Sequence, residues 1–155
     1  MSRTLVVYYS LFGQTECLAR EIAAQTGGTL RQLVPERSYS FDYNTAAKEV
    51  RAQITRGYCP ILAAGNESID AFDTVWIGSP NWFKTFAPPV LTFLTAHSFA
   101  GKTVVPFCTH GGGGFGSMLQ DAERACPGVY VVPGVAVNGD DAAARVAQRL
   151  AQLQW

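Results

Sequence analysis

The chain has 155 residues, long enough for one domain with one sizeable core, and its hydrophobic fraction of 48% argues against a disordered chain. Its 12 basic and 12 acidic side chains cancel, and no run of like charge stands out, so neither a nucleic-acid footprint nor a basic membrane surface is expected. The four cysteines (Cys17, Cys59, Cys108 and Cys126) include no CxxC pair, and only two histidines accompany them, which argues against a zinc site.

The first residues, Met1-Ser2-Arg3-Thr4, lead straight into an apolar run of only about six residues. Secretory signals and membrane spans need longer ones, so the expected setting is the cytoplasm, with reduced thiols and no membrane partner. Leu5-Val6-Val7-Tyr8-Tyr9 is continuously apolar, as a strand buried on both faces would be. A helix-period stretch follows, with Leu18/Ile22 and Ala19/Ala23 four apart. Thr29–Val34 is mixed and reads as an edge strand. The aromatic tract from Pro35 to Asn44 carries Tyr39, Phe41 and Tyr43, and either bears on a pocket or covers the sheet edge.

Ala46, Val50 and Ile54 mark a second helix, and Thr74-Val75-Trp76-Ile77 a third strand. Pro88-Pro89 opens a third helix through Val90, Leu91 and Leu94, where proline suits the first turn. Thr103–Phe107 is a fourth strand, and Phe115, Met118, Leu119 and Ala122 mark a fourth helix. Val129–Val132 is a fifth strand. Asp140-Asp141 caps a last helix through Ala143, Val146, Ala147, Leu150 and Leu153. No repeat or linker interrupts this order, so residues 1–155 read as a single α/β domain, a doubly wound parallel sheet with helices on both faces. Ligands of such sheets bind beyond the carboxyl ends of the strands, at the switch in strand order.

The loops after the first, third and fourth strands are the most unusual stretches of the chain. Ser10-Leu11-Phe12-Gly13-Gln14-Thr15 offers hydroxyl and amide side chains, a glycine and the free N–H groups of a helix start, a setting for phosphate. It holds no lysine and no Walker pattern, which fits a monophosphate, although an ordinary capped turn would use the same residue types. Ser79-Pro80-Asn81-Trp82-Phe83-Lys84-Thr85 sets two large aromatics side by side; their faces suit a flat ligand, and covering the core is the plainer alternative. Thr109-His110-Gly111-Gly112-Gly113-Gly114-Phe115-Gly116-Ser117 packs five glycines into six residues, which permits close backbone approach to a ligand. A phosphate at one end and a flat, hydrogen-bonding ring system at the other describe flavin mononucleotide (FMN).

Three segments, YYSLFGQTE, SPNWF followed by APPVLTFL, and GKTVVPFCTHGGGGFGS, give the chain a resemblance to the flavodoxin family over residues 4–153. The resemblance implies a five-stranded sheet of order 2-1-3-4-5 in a three-layer sandwich of the short-chain form. It implies phosphate contacts from Ser10, Leu11, Phe12, Gly13, Gln14 and Thr15. Ring contacts would come from Ser79, Pro80, Asn81, Trp82 and Phe83 and from Thr109, His110, Gly111 and Gly112, with Phe115 and Gly116 closing the pocket. No side chain is then a catalytic acid or base, because the cofactor carries the redox chemistry. The implied activity is electron transfer between a reductase and an acceptor protein. An FMN-dependent NAD(P)H oxidoreductase acting on quinones is the alternative, and a flavin-free interaction module is a third reading.

Two departures bear on the choice. Family carriers are strongly acidic, whereas this chain is neutral. Many also place a glycine beside the flavin, whose peptide flips toward the half-reduced ring. Here Asn81, Phe83 and Lys84 surround Trp82, and Phe and Lys tolerate positive φ poorly. Lys84 near the ring would favour an anionic reduced flavin. His110 reads as a solvated loop residue, and Cys108 and Cys17 as packing.

Overall fold

The computed structural model describes residues 3–138 and 141–153. In chain order the elements are β1 (Thr4–Tyr8), α1 (Gln14–Thr26), β2 (Thr29–Gln32), β3 (Val34–Pro35), α2 (Tyr43–Arg56), β4 (Leu62–Ala64) and β5 (Thr74–Pro80). They continue with α3 (Pro88–Ala96), β6 (Thr103–Thr109), α4 (Met118–Ala125), β7 (Tyr130–Val131), β8 (Ala136–Val137) and α5 (Ala142–Leu153). Asp140 of the expected last cap lies outside the described residues; the Asp141 carbonyl accepts the Arg145 N–H. No helix among the described residues is long and apolar enough to cross a membrane.

The main sheet runs β2-β1-β5-β6-β7, with β8 also on β6, and every pairing in it is parallel. This is the expected 2-1-3-4-5 order, with the fifth strand in two pieces. The continuously apolar strands are buried on both faces because alternate side chains feed different cores. Leu5, Val7, Val75, Ile77 and Val104 join Val50, Phe93 and Met118 of α2, α3 and α4. Val6, Tyr8, Trp76, Val105 and Phe107 join Leu18, Ile22 and Val146 of α1 and α5. The result is helix–sheet–helix in three layers.

Two features differ from the sequence reading. The edge strand expected over Thr29–Val34 ends at Gln32, and β3 pairs antiparallel with β4 in a separate small sheet. The fifth strand breaks because Pro106, in the middle of β6, has no N–H to give it. Pairing slips by one residue between Val104↔Val131 and Cys108↔Ala136. Arg149 of α5 donates to the Pro133 carbonyl at the slip, at 2.7 and 3.0 Å. Beyond the slip, Cys108 N–H donates to Val135 O and His110 N–H to Val137 O, so β8 fixes the end of β6 where the glycine-rich loop begins.

At the centre of the sheet, Gly78 of β5 lies under the Phe107 ring, where an added Cβ would stand 2.1 Å from ring carbons. Gly78→Ala is therefore expected to lower stability by about 1–3 kcal/mol, the usual cost of overpacking a filled core. A drop in denaturant midpoint at unchanged slope is the result to look for.

Candidate functional site

β1, β5 and β6 all end at one pole of the sheet, and each delivers one of the three loops singled out in the sequence. Gly13, at φ 97°, turns the chain into α1, which carries no side-chain cap. Ser10 accepts the Gly13 N–H through Oγ at 3.0 Å, so the hydroxyl folds over the turn. The first-turn N–H groups of α1 thus open this pole with the positive end of the helix dipole behind them. Thr15 is buried, and its Oγ1 lies 2.7 Å from Thr109 Oγ1, which joins the first loop to the third. Arg20, one turn on, forms an ion pair with Glu16 at 2.8 Å.

The second loop is a tight hairpin. Trp82 and Thr85 exchange backbone hydrogen bonds at 3.1 and 3.2 Å, and the two residues between them, Phe83 and Lys84, have φ of 55° and 70°. Positive φ at both central positions marks a primed hairpin turn, which ordinarily takes Asn or Gly. Holding Phe and Lys there costs roughly 1–2 kcal/mol each, so the surroundings must impose it.

Those surroundings are visible. Asn81 Oδ1 accepts the Lys84 N–H at 2.9 Å. The Lys84 carbonyl accepts the Ser117 N–H, and Ser117 Oγ lies 2.7 Å from it. Asp121 of α4 accepts from the Thr85 hydroxyl and sits 2.9 Å from Ser117 Oγ. Gly116, at φ 56°, approaches so closely that an added Cβ would stand 2.6 Å from Lys84 O. The hairpin is clasped against the third loop along its whole outer side.

Trp82 is fixed from the other side. Its ring meets Tyr9 and Tyr39 edge-on, with centroids 5.6 Å away in both cases, and Tyr9 meets Tyr39 at 6.1 Å. Burial raises both tyrosine pKa values, and Glu49 raises that of Tyr39 further, so both hydroxyls stay protonated. The Tyr39 hydroxyl donates to Gln53 of α2. Of the two roles weighed for the aromatic tract, the pocket is the one its residues meet: Tyr39 is buried behind Trp82 and Tyr43 lines the cleft beside it, while Phe41 is exposed.

In the third loop, the Gly114 carbonyl accepts from Asn81 Nδ2 at 2.7 Å, and Asn81 N–H donates to Thr109 O at 2.8 Å. A Cβ added at Gly111, Gly112 or Gly114 would meet nothing within 4 Å, so there is open space beside these residues. His110 turns back on its own loop, its Nδ1 accepting the Gly112 N–H at 2.9 Å.

Among the expected site residues, Ser79 is turned inward. It is fully buried, accepting the Ala87 N–H at 2.8 Å and lying 2.7 Å from Pro80 O, so it shapes the loop from within. Leu11 and Phe115 pack on the core, while Phe12 and Phe83 are 47% and 45% exposed. Phe12, Asn81, Trp82 and Phe83 line a cleft of about 170 Å³ with Tyr43, Ala46, Ala47 and Val50 of α2. The α2 wall was missed in the sequence, although its spacing of three and four residues is visible there. Tyr9 and Asp121 were also missed, and Thr85 and Ser117 stood at the ends of their loops without a role; nothing in their spacing marks them.

Cys108 lies under the third loop, its Sγ 3.4 Å from Gly114 O, and burial pushes its thiol up to about 12. Cys126 is also buried, whereas Cys17 and Cys59 are exposed. At pH 8 a thiol-alkylating reagent is expected to label Cys17 and Cys59 in the folded protein, and all four cysteines only after unfolding. Peptide mass spectrometry reads this directly. Labelling of native Cys108 would contradict its burial.

The family model for flavodoxin matches residues 3–153. Among solved structures, a Bacteroides eggerthii protein provisionally described as a flavoprotein is 30% identical, with a TM-score of 0.87 over 100% of this chain and 99% of its own. A Bacteroides uniformis protein described in the same way is 27% identical, with a TM-score of 0.86 over 95% of this chain and 97% of its own. A Lactobacillus acidophilus flavoprotein, solved in complex with FMN, is 24% identical, with a TM-score of 0.76 over 96% of this chain and 99% of its own. With the loops at the carboxyl ends of β1, β5 and β6 and a family match over nearly its whole length, this chain belongs to the flavodoxin family.

Proposed function

We propose that the chain binds FMN at the pole formed by its three loops and carries electrons between a reductase and an acceptor protein. The observation that carries this reading is the hydrogen-bonded union of the loops. Thr15 meets Thr109, and Asn81 meets both Thr109 and Gly114, so a phosphate end and a ring end lie on one continuous surface.

The residues fit the cofactor. Ser10, Gln14, Thr15 and the first-turn N–H groups of α1 form a neutral donor set at a positive helix end, suited to a phosphate monoester. Trp82 supplies a ring held rigid by Tyr9 and Tyr39, and the open space beside Gly111 and Gly112 lets a heterocycle's edge approach the loop backbone. When bound, FMN supplies the redox chemistry, and the protein supplies position and electrostatics. His110 is engaged within its own loop, in keeping with a site that employs no acid–base side chain. The Lys84 carbonyl is held by Ser117, and the turn already sits at positive φ, so the hairpin has little freedom to change with oxidation state. The expectation is two-electron behaviour on stepwise reduction.

The test is a visible-spectrum titration. Purified protein is expected to take up one FMN. Trp82→Ala should weaken binding about 10- to 100-fold, the equivalent of roughly 1–3 kcal/mol of lost stacking, while the thermal midpoint stays above the assay temperature. A colourless protein that stays colourless with added FMN would sink the reading. Stepwise reduction then reads the electron count, and a large, long-lived one-electron species would contradict the rigid hairpin.

The aromatic cleft beside Trp82 favours a second reading, an FMN-dependent NAD(P)H oxidoreductase acting on quinones or similar small acceptors. A carrier does not oxidise NADPH unaided, whereas a reductase does.

A further inference from the structure

We propose that the cleft between α2 and the Trp82 hairpin is a binding site for a small monocyclic aromatic acid, distinct from the cofactor's place although the two share the hairpin as a common wall. The proposal rests on the FMN reading only for that distinction. FMN is expected to touch all three loops, whereas the cleft is lined by the first loop, the second loop and α2, with no residue of the third.

Size sets the ligand class. About 170 Å³ is close to the roughly 150 Å³ of an engineered apolar cavity that holds benzene, so the enclosed part of the cleft takes a single ring. Surface chemistry agrees. Tyr43, Ala46, Ala47 and Val50 form one helical stripe, three small or aliphatic residues with a phenol at the mouth. The opposite wall is aromatic: Phe12, Trp82 and Phe83. Among the described lining residues Asn81 is the only amide, and its Oδ1 and Nδ2 each already serve a neighbour, Lys84 and Gly114. The interior therefore asks for a flat apolar ring. Phe12, Tyr43 and Phe83 stand 47%, 73% and 45% exposed around one opening, an apolar cluster of the kind that marks a binding site.

Charge sets the substituent. Arg51 follows Ala47 by one turn on the same stripe, and its guanidinium lies 5.5 Å from the Phe83 ring centroid. It has no carboxylate partner among the described residues. A carboxylate on a ring lying in the cleft would find this planar donor at the edge, where bidentate pairing is available.

The test uses isothermal titration calorimetry with 4-nitrobenzoate on the FMN-loaded protein. One site per chain is expected. Ala47→Leu, which fills the cleft, should weaken it at least tenfold while leaving FMN affinity within twofold. Arg51→Gln, on an exposed position, should weaken 4-nitrobenzoate about fivefold or more and leave the neutral analogue 4-nitrobenzyl alcohol unchanged. Absence of binding, an Ala47→Leu protein that binds as well as the parent, or displacement of the probe by FMN would each overturn the proposal. Displacement would assign the cleft to the cofactor. Should the chain take up no FMN, the flavin reading fails by itself, and probe binding to the flavin-free protein with the same two variants still decides the cleft.

Discussion

The side chain of Asn81 uses both ends of its amide on two neighbours: Nδ2 donates to the Gly114 carbonyl, and Oδ1 accepts from the Lys84 N–H. Its backbone N–H continues the β5–β6 ladder to Thr109. One residue thus closes the strained hairpin, ties it to the glycine loop and anchors both to the sheet. Everything proposed for the site depends on that junction. The Trp82 ring has a fixed direction only if the hairpin is fixed, and the open glycines face a common space only if Gly114 is held.

Strain and rigidity are two sides of the same arrangement. Phe83 and Lys84 would not choose positive φ alone. Ser117, Asp121 and the close approach of Gly116 leave them no alternative. The molecule accepts a local conformational penalty and gains a pair of aromatic side chains held at the carboxyl end of the central strand. In a protein whose cofactor does the chemistry, position is the main contribution the chain can make. The neutral overall charge fits a site that relies on shape and hydrogen bonding more than on long-range steering.

The layers and strand order were legible because they follow from periodicity. Leu5-Val6-Val7-Tyr8 is apolar throughout because Leu5 and Val7 face one helix layer and Val6 and Tyr8 the other. The three loops were legible because their composition is unusual for connections. What was hidden depends on contacts across long sequence separations. Thr15 with Thr109, and Thr85 with Asp121, are pairs of ordinary residues whose meeting no local pattern announces. The break in the fifth strand was hidden for a related reason: Pro106 lies in one strand, its effect falls on the next, and Arg149 answers from a helix after both. Ser79 misled for the opposite reason. A serine beside a ligand loop looks like a contact, yet its place at the end of a buried strand turns it inward to Ala87.

The central claim is that the three loops form one FMN-binding surface. Amide chemical-shift mapping of isotope-labelled protein during FMN titration tests it most directly. The account predicts shifts concentrated at residues 10–15, 79–85 and 109–117, saturating together at one equivalent. Shifts confined to one loop, or centred at the opposite pole around Thr26, Thr103 and Leu150, would contradict it.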